Sequence, residues 1–211
     1  FIAAYVWMTG FGNFSFYYVT KDFSAVRFAQ MMWRLNFFVF VTCAVMKNDY
    51  MLYYICPMHT LFTLLVYGAL AIAREKNSEP KWIYGKFIAC FAIVVAVWEI
   101  PGAFKLIFKP FTFLFGYVNP AKPNVHPLHE WQFRSGLDRY VWIYGMACAY
   151  FHPKYELAMK WIDERSTARE RMMYQSGVVA LASGAMYWWW VTFFTLEKFE
   201  YNKYHPYTSW I

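Results

Sequence analysis

Apolar blocks recur along this chain, most of them close to the length a helix needs to cross a bilayer. They occupy 1–19, 24–46, 50–73, 82–98, 141–151 and 172–196. A transmembrane helix takes about twenty mostly apolar residues. Charged residues are only 16% of the sequence, against about a quarter in an ordinary soluble domain. The expected class is all-α: a polytopic transmembrane helix bundle of about six to seven spans, forming one domain over 1–211. Aromatics reach 24%, and their Trp and Tyr suit the headgroup zone, where an amphipathic ring is at home. The net charge of +7 is therefore a topology signal first. No basic stretch is long enough to track a phosphate backbone, so nucleic acid is not an expected partner; the bilayer is. Segment 103–118 is Phe-rich but interrupted by Lys105, Lys109 and Pro110, and reads as a span, a re-entrant piece or an interfacial one.

Against this apolar background one stretch stands out. Residues 126–140 hold two His, one Glu, one Asp and two Arg. As a helix it sets Glu130, Arg134 and Asp138 four apart, so that charges of alternating sign share a face. His129 leads that face, with Glu130 beside it as an orienting acid. Polar groups are costly at membrane depth and usually serve a function there. By the same reasoning His59 is a candidate base inside its span, with Thr63 and Tyr67 on its face. Pro57, just before it, should kink the helix. Arg27, Gln30 and Arg34 share a face of the second span. Arg34 lies too deep to snorkel, and is expected to pair with Glu99 or Asp138 or to grip a substrate phosphate or carboxylate. Asn13 is a lone polar group that needs a partner, beside Gly10 and Gly12, which permit close helix approach. Gly177 and Gly184 suggest close packing for the last span.

The four Cys lie within apolar segments and read as packing residues. His126 and His129 with His152 or His205 make a poor metal set, because Pro127 breaks the register. The chain starts without Met inside an apolar run and stops just after Tyr-Thr-Ser-Trp210. It is expected to be a piece of a larger membrane domain, truncated at both ends. Loops 20–27, 74–81 and 152–171 carry ten Lys and Arg, against six on the opposite side. The richer side should be cytoplasmic. The stretches around Asp49, 126–140 and 201–210 then share the outer side. Tyr and Trp beside His and carboxylates is a composition that holds sugars.

Five strings carry a family resemblance. They are Phe11-Gly-Asn-Phe14, Arg27-Phe-Ala-Gln-Met-Met-Trp-Arg-Leu-Asn-Phe37, Asn48-Asp-Tyr-Met-Leu-Tyr-Tyr-Ile-Cys-Pro-Met-His-Thr-Leu-Phe62, His129-Glu-Trp-Gln-Phe-Arg-Ser-Gly-Leu-Asp-Arg-Tyr140 and Tyr201-Asn-Lys-Tyr-His-Pro-Tyr-Thr-Ser-Trp210. In this order they resemble the multi-pass domain of eukaryotic glycan O-acetyltransferases: fungal capsule enzymes, plant reduced-wall-acetylation proteins and the animal sialic acid enzyme. The resemblance implies a multi-pass Golgi membrane protein that moves acetyl from cytosolic acetyl-CoA to glycan or polysaccharide hydroxyls in the lumen. The alternative is a transporter-like subunit that passes acetyl groups or acetyl-CoA to a separate lumenal acetyltransferase. Candidate catalytic residues are His59, His129, Glu130 and Asp138. Candidates to hold substrate are Arg34, Asp49, Trp131, Arg134, Arg139 and His205.

Overall fold

The computed structural model describes residues 2–121, 123–164 and 167–209, and every regular element among them is helical. In order these are α1 (Ile2–Thr20), α2 (Ala25–Met46), α3 (Ile55–Ala71), α4 (Pro80–Val94), α5 (Ala103–Phe108), α6 (Thr112–Phe115), α7 (His129–Leu137), α8 (Val141–Asp163), α9 (Ala168–Trp189) and α10 (Lys198–Thr208). A wider π turn extends α4 to Glu99 and another extends α9 to Phe194. Lys122 and Arg165, which enter the charge count, and Trp210 of the tail string lie outside the described residues.

The six expected spans correspond to α1–α4, α8 and α9. Among the described residues three helices are long and apolar enough to cross a membrane: Ala25–Met46, Pro80–Glu99 and Ala168–Phe194; Ile55–Ala71 is a shorter apolar helix. Lys21, Lys47 and Ala73 adopt left-handed backbone at φ 55°, 52° and 50°. Each ends a helix and turns the chain, the usual role of that conformation. Lys86 of α4 reaches back to the end of α3, where its Nζ donates to the Ile72 carbonyl at 2.6 Å and to Asn77 Oδ1 at 2.5 Å. Orphan carbonyls at a helix C-terminus attract a cation in this way.

The centre of the bundle is α1, packed against α8 on one side and α3 on the other. Its buried residues are Val6, Gly10, Asn13, Phe14 and Tyr17, at the spacing of three and four that keeps one face inward. The α1–α8 crossing depends on two glycines. A Cβ on Gly10 would stand 2.0 Å from the Trp142 carbonyl oxygen, and one on Gly145 would stand 2.3 Å from that of Trp7. Backbone therefore meets backbone, the approach that small residues permit between membrane helices. Phe62 of α3 stacks on Trp142 of α8 at 5.9 Å between ring centres. By contrast α9 buries no residue and α2 buries only Asn36. A Cβ added to Gly177 or Gly184 would meet nothing within 4 Å, so the close packing expected for the last span is not found among the described residues.

Several boundaries depart from the sequence reading. The fifth helix does not stop at 151. α8 runs on to Asp163 through Pro153, so no separate surface helix begins at 152. Pro153 costs that helix one backbone bond in an exposed part of it, and flanking turns carry it across. Pro57 does not kink α3, because the helix starts at Ile55 and a proline in the first turn forfeits no bond. Segment 103–118 does not form one helix long enough to cross a membrane. Its helical part, 103–115, would be about 20 Å long at 1.5 Å per residue, short of a hydrocarbon core of about 30 Å. It is also broken at Lys109–Phe111. Phe108 and Phe115 fold back onto Trp131 of α7, which stacks on Phe115 with ring centres 4.7 Å apart, and Phe104 packs on Phe108.

Candidate functional site

Two polar clusters and one cleft hold most of the candidate residues. The first cluster lies between α1 and α3. The stripe of His59, Thr63 and Tyr67 forms as expected and faces α1. Thr9 Oγ1 is 2.6 Å from His59 Nδ1. Asn13 Nδ2 donates to the Thr9 carbonyl at 2.7 Å and to Thr63 Oγ1 at 3.3 Å, and Tyr67 donates to the Phe23 carbonyl at 3.1 Å. Asn13 thus finds the partners its position demanded. Its Oδ1 is buried and has no partner among the described residues, a state that costs about 1–3 kcal/mol unless something donates to it.

The second cluster gathers where α7 meets α8. Helix α7 ends at Leu137, and Asp138 leaves helical geometry at φ −114° and ψ 21°. Its carboxylate therefore turns away from Arg134. It is 3% exposed and contacts His205 Nε2 of α10 at 3.2 Å. His205 Nδ1 lies 2.9 Å from the Tyr201 hydroxyl, one turn away on α10. Nε2–H donates to the carboxylate, which leaves Nδ1 to accept from Tyr201. Burial, and then the Asp138 charge, push the Tyr201 phenol above its ordinary range, so it keeps the proton that it donates.

Beside Asp138, Arg139 Nη2 donates to Glu99 Oε1 at 2.6 Å and to the Tyr207 hydroxyl at 2.9 Å. Tyr207 and Tyr140 donate to the same carboxylate oxygen at 2.8 Å and 3.1 Å. Burial opposes the Arg139 charge, but hydrogen bonds with Tyr140 and Glu99 prevail and hold its pKa above the usual arginine value. This knot fastens α10 and the end of α4 to the α7–α8 junction. It also corrects the expected pairing of Arg34. Glu99 is taken by Arg139 and Asp138 by His205, while Arg34 is exposed on α2.

A cleft of about 450 Å³ opens between α7 and α10. His129, Glu130 and Arg134 line one wall, and Lys198, Asn202 and Lys203 the other. Glu130 is 3.6 Å from Arg134 Nε and is not hydrogen-bonded to His129, so the acid expected to orient His129 serves the arginine instead. Arg134 also stacks on the Tyr54 ring at 4.7 Å. His129 is exposed in the cleft, Trp131 is fully buried in the aromatic pile, and Asp49 is exposed at the head of a turn outside the cleft. A substrate-facing role is thus open to His129 but not to Trp131 in this packing. Thr9, Tyr201 and Tyr207 contact the candidate residues His59, His205 and Arg139, and the sequence pattern does not single them out. The spacing of four between Tyr201 and His205 is the one signal available there.

The whole chain, residues 1–211, matches the 10 TM acyl transferase domain found in Cas1p. It is 28% identical over 224 residues to the N-acetylneuraminate (7)9-O-acetyltransferase of Danio rerio, across 99% of this chain. The chain spans 27% of the length of that relative. No solved structure matches it.

Proposed function

Because the chain belongs to the family of the 10 TM acyl transferase domain found in Cas1p, we propose that it moves acetyl from cytosolic acetyl-CoA to glycan hydroxyls in the Golgi lumen. The observation that carries this reading is an imidazole held inside the bundle by one nitrogen. Thr9 occupies His59 Nδ1 at 2.6 Å, while Nε2 has no partner among the described residues and is not among the sealed polar atoms. In this reading His59 takes the proton of the acceptor hydroxyl. The oxygen attacks the thioester carbonyl, the carbon–sulfur bond breaks, and the proton passes to the leaving thiolate. General base catalysis of this kind contributes about a hundredfold to ten-thousandfold.

The cleft beside α7, which His129 lines and His59 does not, is proposed to hold the glycan chain beyond the reacting hydroxyl. Phe133 and Phe199 offer apolar faces, and Asn119 and Asn202 offer amides for sugar hydroxyls. Arg134, Lys198 and Lys203 suit an acidic sugar, and the relative's name specifies one. His129 is the second candidate base, because it opens onto that cleft. Asp138 and His205 hold α10 as the far wall, and Arg139 keeps it there through Glu99 and Tyr207. Arg34, exposed on α2, is proposed to meet the phosphates of the donor.

The test is acetyl transfer from labelled acetyl-CoA by the full-length protein purified into vesicles, with sialylated and neutral glycans as acceptors. His59→Ala should lower the rate about a hundredfold or more at equal protein level. Near-normal rates in both His59→Ala and His129→Ala would move the chemistry out of this part of the protein. Release of acetyl only when a second enzyme is added would favour the transporter-like subunit.

A further inference from the structure

The tautomer of His59 is set from another helix. Thr9 Oγ1 lies 3.0 Å from the Tyr5 carbonyl, four residues back along α1, as well as 2.6 Å from His59 Nδ1. A threonine hydroxyl has one proton, and within a helix it commonly donates it to that carbonyl. Its lone pairs then face the imidazole, so the hydrogen between them belongs to Nδ1. A neutral imidazole protonated at Nδ1 carries its free lone pair on Nε2. We propose that Thr9 is a positioning residue: it holds His59 as the Nδ1–H tautomer and leaves Nε2 bare as the proton acceptor. This rests on the reading of His59 as the base and adds how the base is kept ready.

Thr9 is itself held in place. Asn13 Nδ2 ties the Thr9 carbonyl to Thr63, one turn beyond His59 on α3. On the other side Gly10, the next residue, rests against the Trp142 backbone. Helix α1 is thus clamped between α3 and α8 at the very turn that carries Thr9. A side chain fixed at this precision decides which nitrogen is protonated, because the ring responds to the hydrogen bond its other nitrogen makes.

The experiment reads the proton directly. Full-length protein labelled with nitrogen-15 at histidine is reconstituted in membranes, and His59 is assigned by the signal lost in His59→Asn. The nitrogen chemical shifts distinguish N–H from bare nitrogen. The wild type should show Nδ1–H and bare Nε2. Thr9→Val, which keeps the shape and loses the acceptor, should shift His59 toward Nε2–H and lower acetyl transfer about tenfold to a hundredfold, part of the hundredfold or more that a general base contributes. Thr9→Ser should restore both. A wild-type His59 protonated at Nε2 overturns the proposal even if no variant folds, and so does an unchanged tautomer in Thr9→Val. A tautomer that shifts while transfer does not would uphold the placement by Thr9 and sink the role of His59 as base.

Discussion

The α1–α8 crossing allows the same substitution to be made at two glycines, two residues apart, with different outcomes. Gly10 and Gly12 both lie within α1, so alanine at either should gain about 0.8–1.0 kcal/mol of intrinsic helix propensity. Their surroundings differ. A Cβ on Gly12 meets nothing within 4 Å, whereas one on Gly10 would stand 2.0 Å from the Trp142 oxygen and 2.8 Å from its carbon. Contacts below 3.0 Å do not persist, so α1 and α8 must part by about 1 Å. Helix α1 has α3 behind it, and the shift falls on the turn where Thr9 meets His59. Overpacking of this kind costs about 1–3 kcal/mol and more when backbone is the obstacle. Gly12→Ala should therefore be neutral to slightly stabilising, and Gly10→Ala less stable than Gly12→Ala by at least that cost. Thermal unfolding of the two detergent-solubilised variants measures the difference. Acetyl transfer at a temperature where both are folded measures the displacement of Thr9, and should fall in Gly10→Ala alone. Equal stability and equal transfer would show that α1 does not cross α8 at Gly10, and would remove the basis for a clamped Thr9.

Other outcomes follow from the second cluster and from the charge pattern. Asp138→Asn should lower stability by about 1.5–3 kcal/mol, the value of a hydrogen bond to a charged group, because His205 loses its carboxylate; the midpoint of unfolding reads it. Arg139→Lys keeps the charge but not the fork that serves Glu99, Tyr207 and the Gly136 carbonyl, so α10 should become more open to proteolysis although net charge is unchanged. Arg34→Leu should raise the acetyl-CoA concentration needed for half-maximal transfer and leave unfolding unaltered, since Arg34 is exposed. Glycosylation tags should be modified at 119–125 and not at 76–79, as the ten-to-six charge bias requires.

Much of the architecture is legible in local pattern, because each helix here is written in its own residues. The apolar blocks mark α1–α4 and α9, and the left-handed residues that end the first three helices fall at the expected polar breaks. The boundaries that differ share a cause. Pro57 and Pro153 look like breaks in the sequence, yet one sits in a first turn that needs no amide and the other in an exposed stretch that tolerates the loss. Segment 103–118 is ambiguous as sequence because its phenylalanines fit lipid or a core equally well. Only its contact with Trp131 decides between them, and that contact joins segments separated by a loop without periodicity.

The site shows the same division more sharply. Spacing alone puts His59, Thr63 and Tyr67 on one face and marks Asn13 as a group seeking a partner, and those relations hold. The partners do not follow, because a helical face specifies a direction and not what stands opposite. Thr9 lies fifty positions from His59, and nothing in its neighbours distinguishes it from any threonine in an apolar helix. The stripe of Glu130, Arg134 and Asp138 fails for a subtler reason. Its spacing supports two successive ion pairs only if the helix continues, and α7 stops at Leu137. That single change of backbone direction frees Asp138 from Arg134 and delivers it to His205, sixty-seven positions away. The buried carboxylate that joins α10 to the bundle is thus a product of where a helix ends, and the same ending leaves Arg134 at the cleft with Glu130 as its acidic partner.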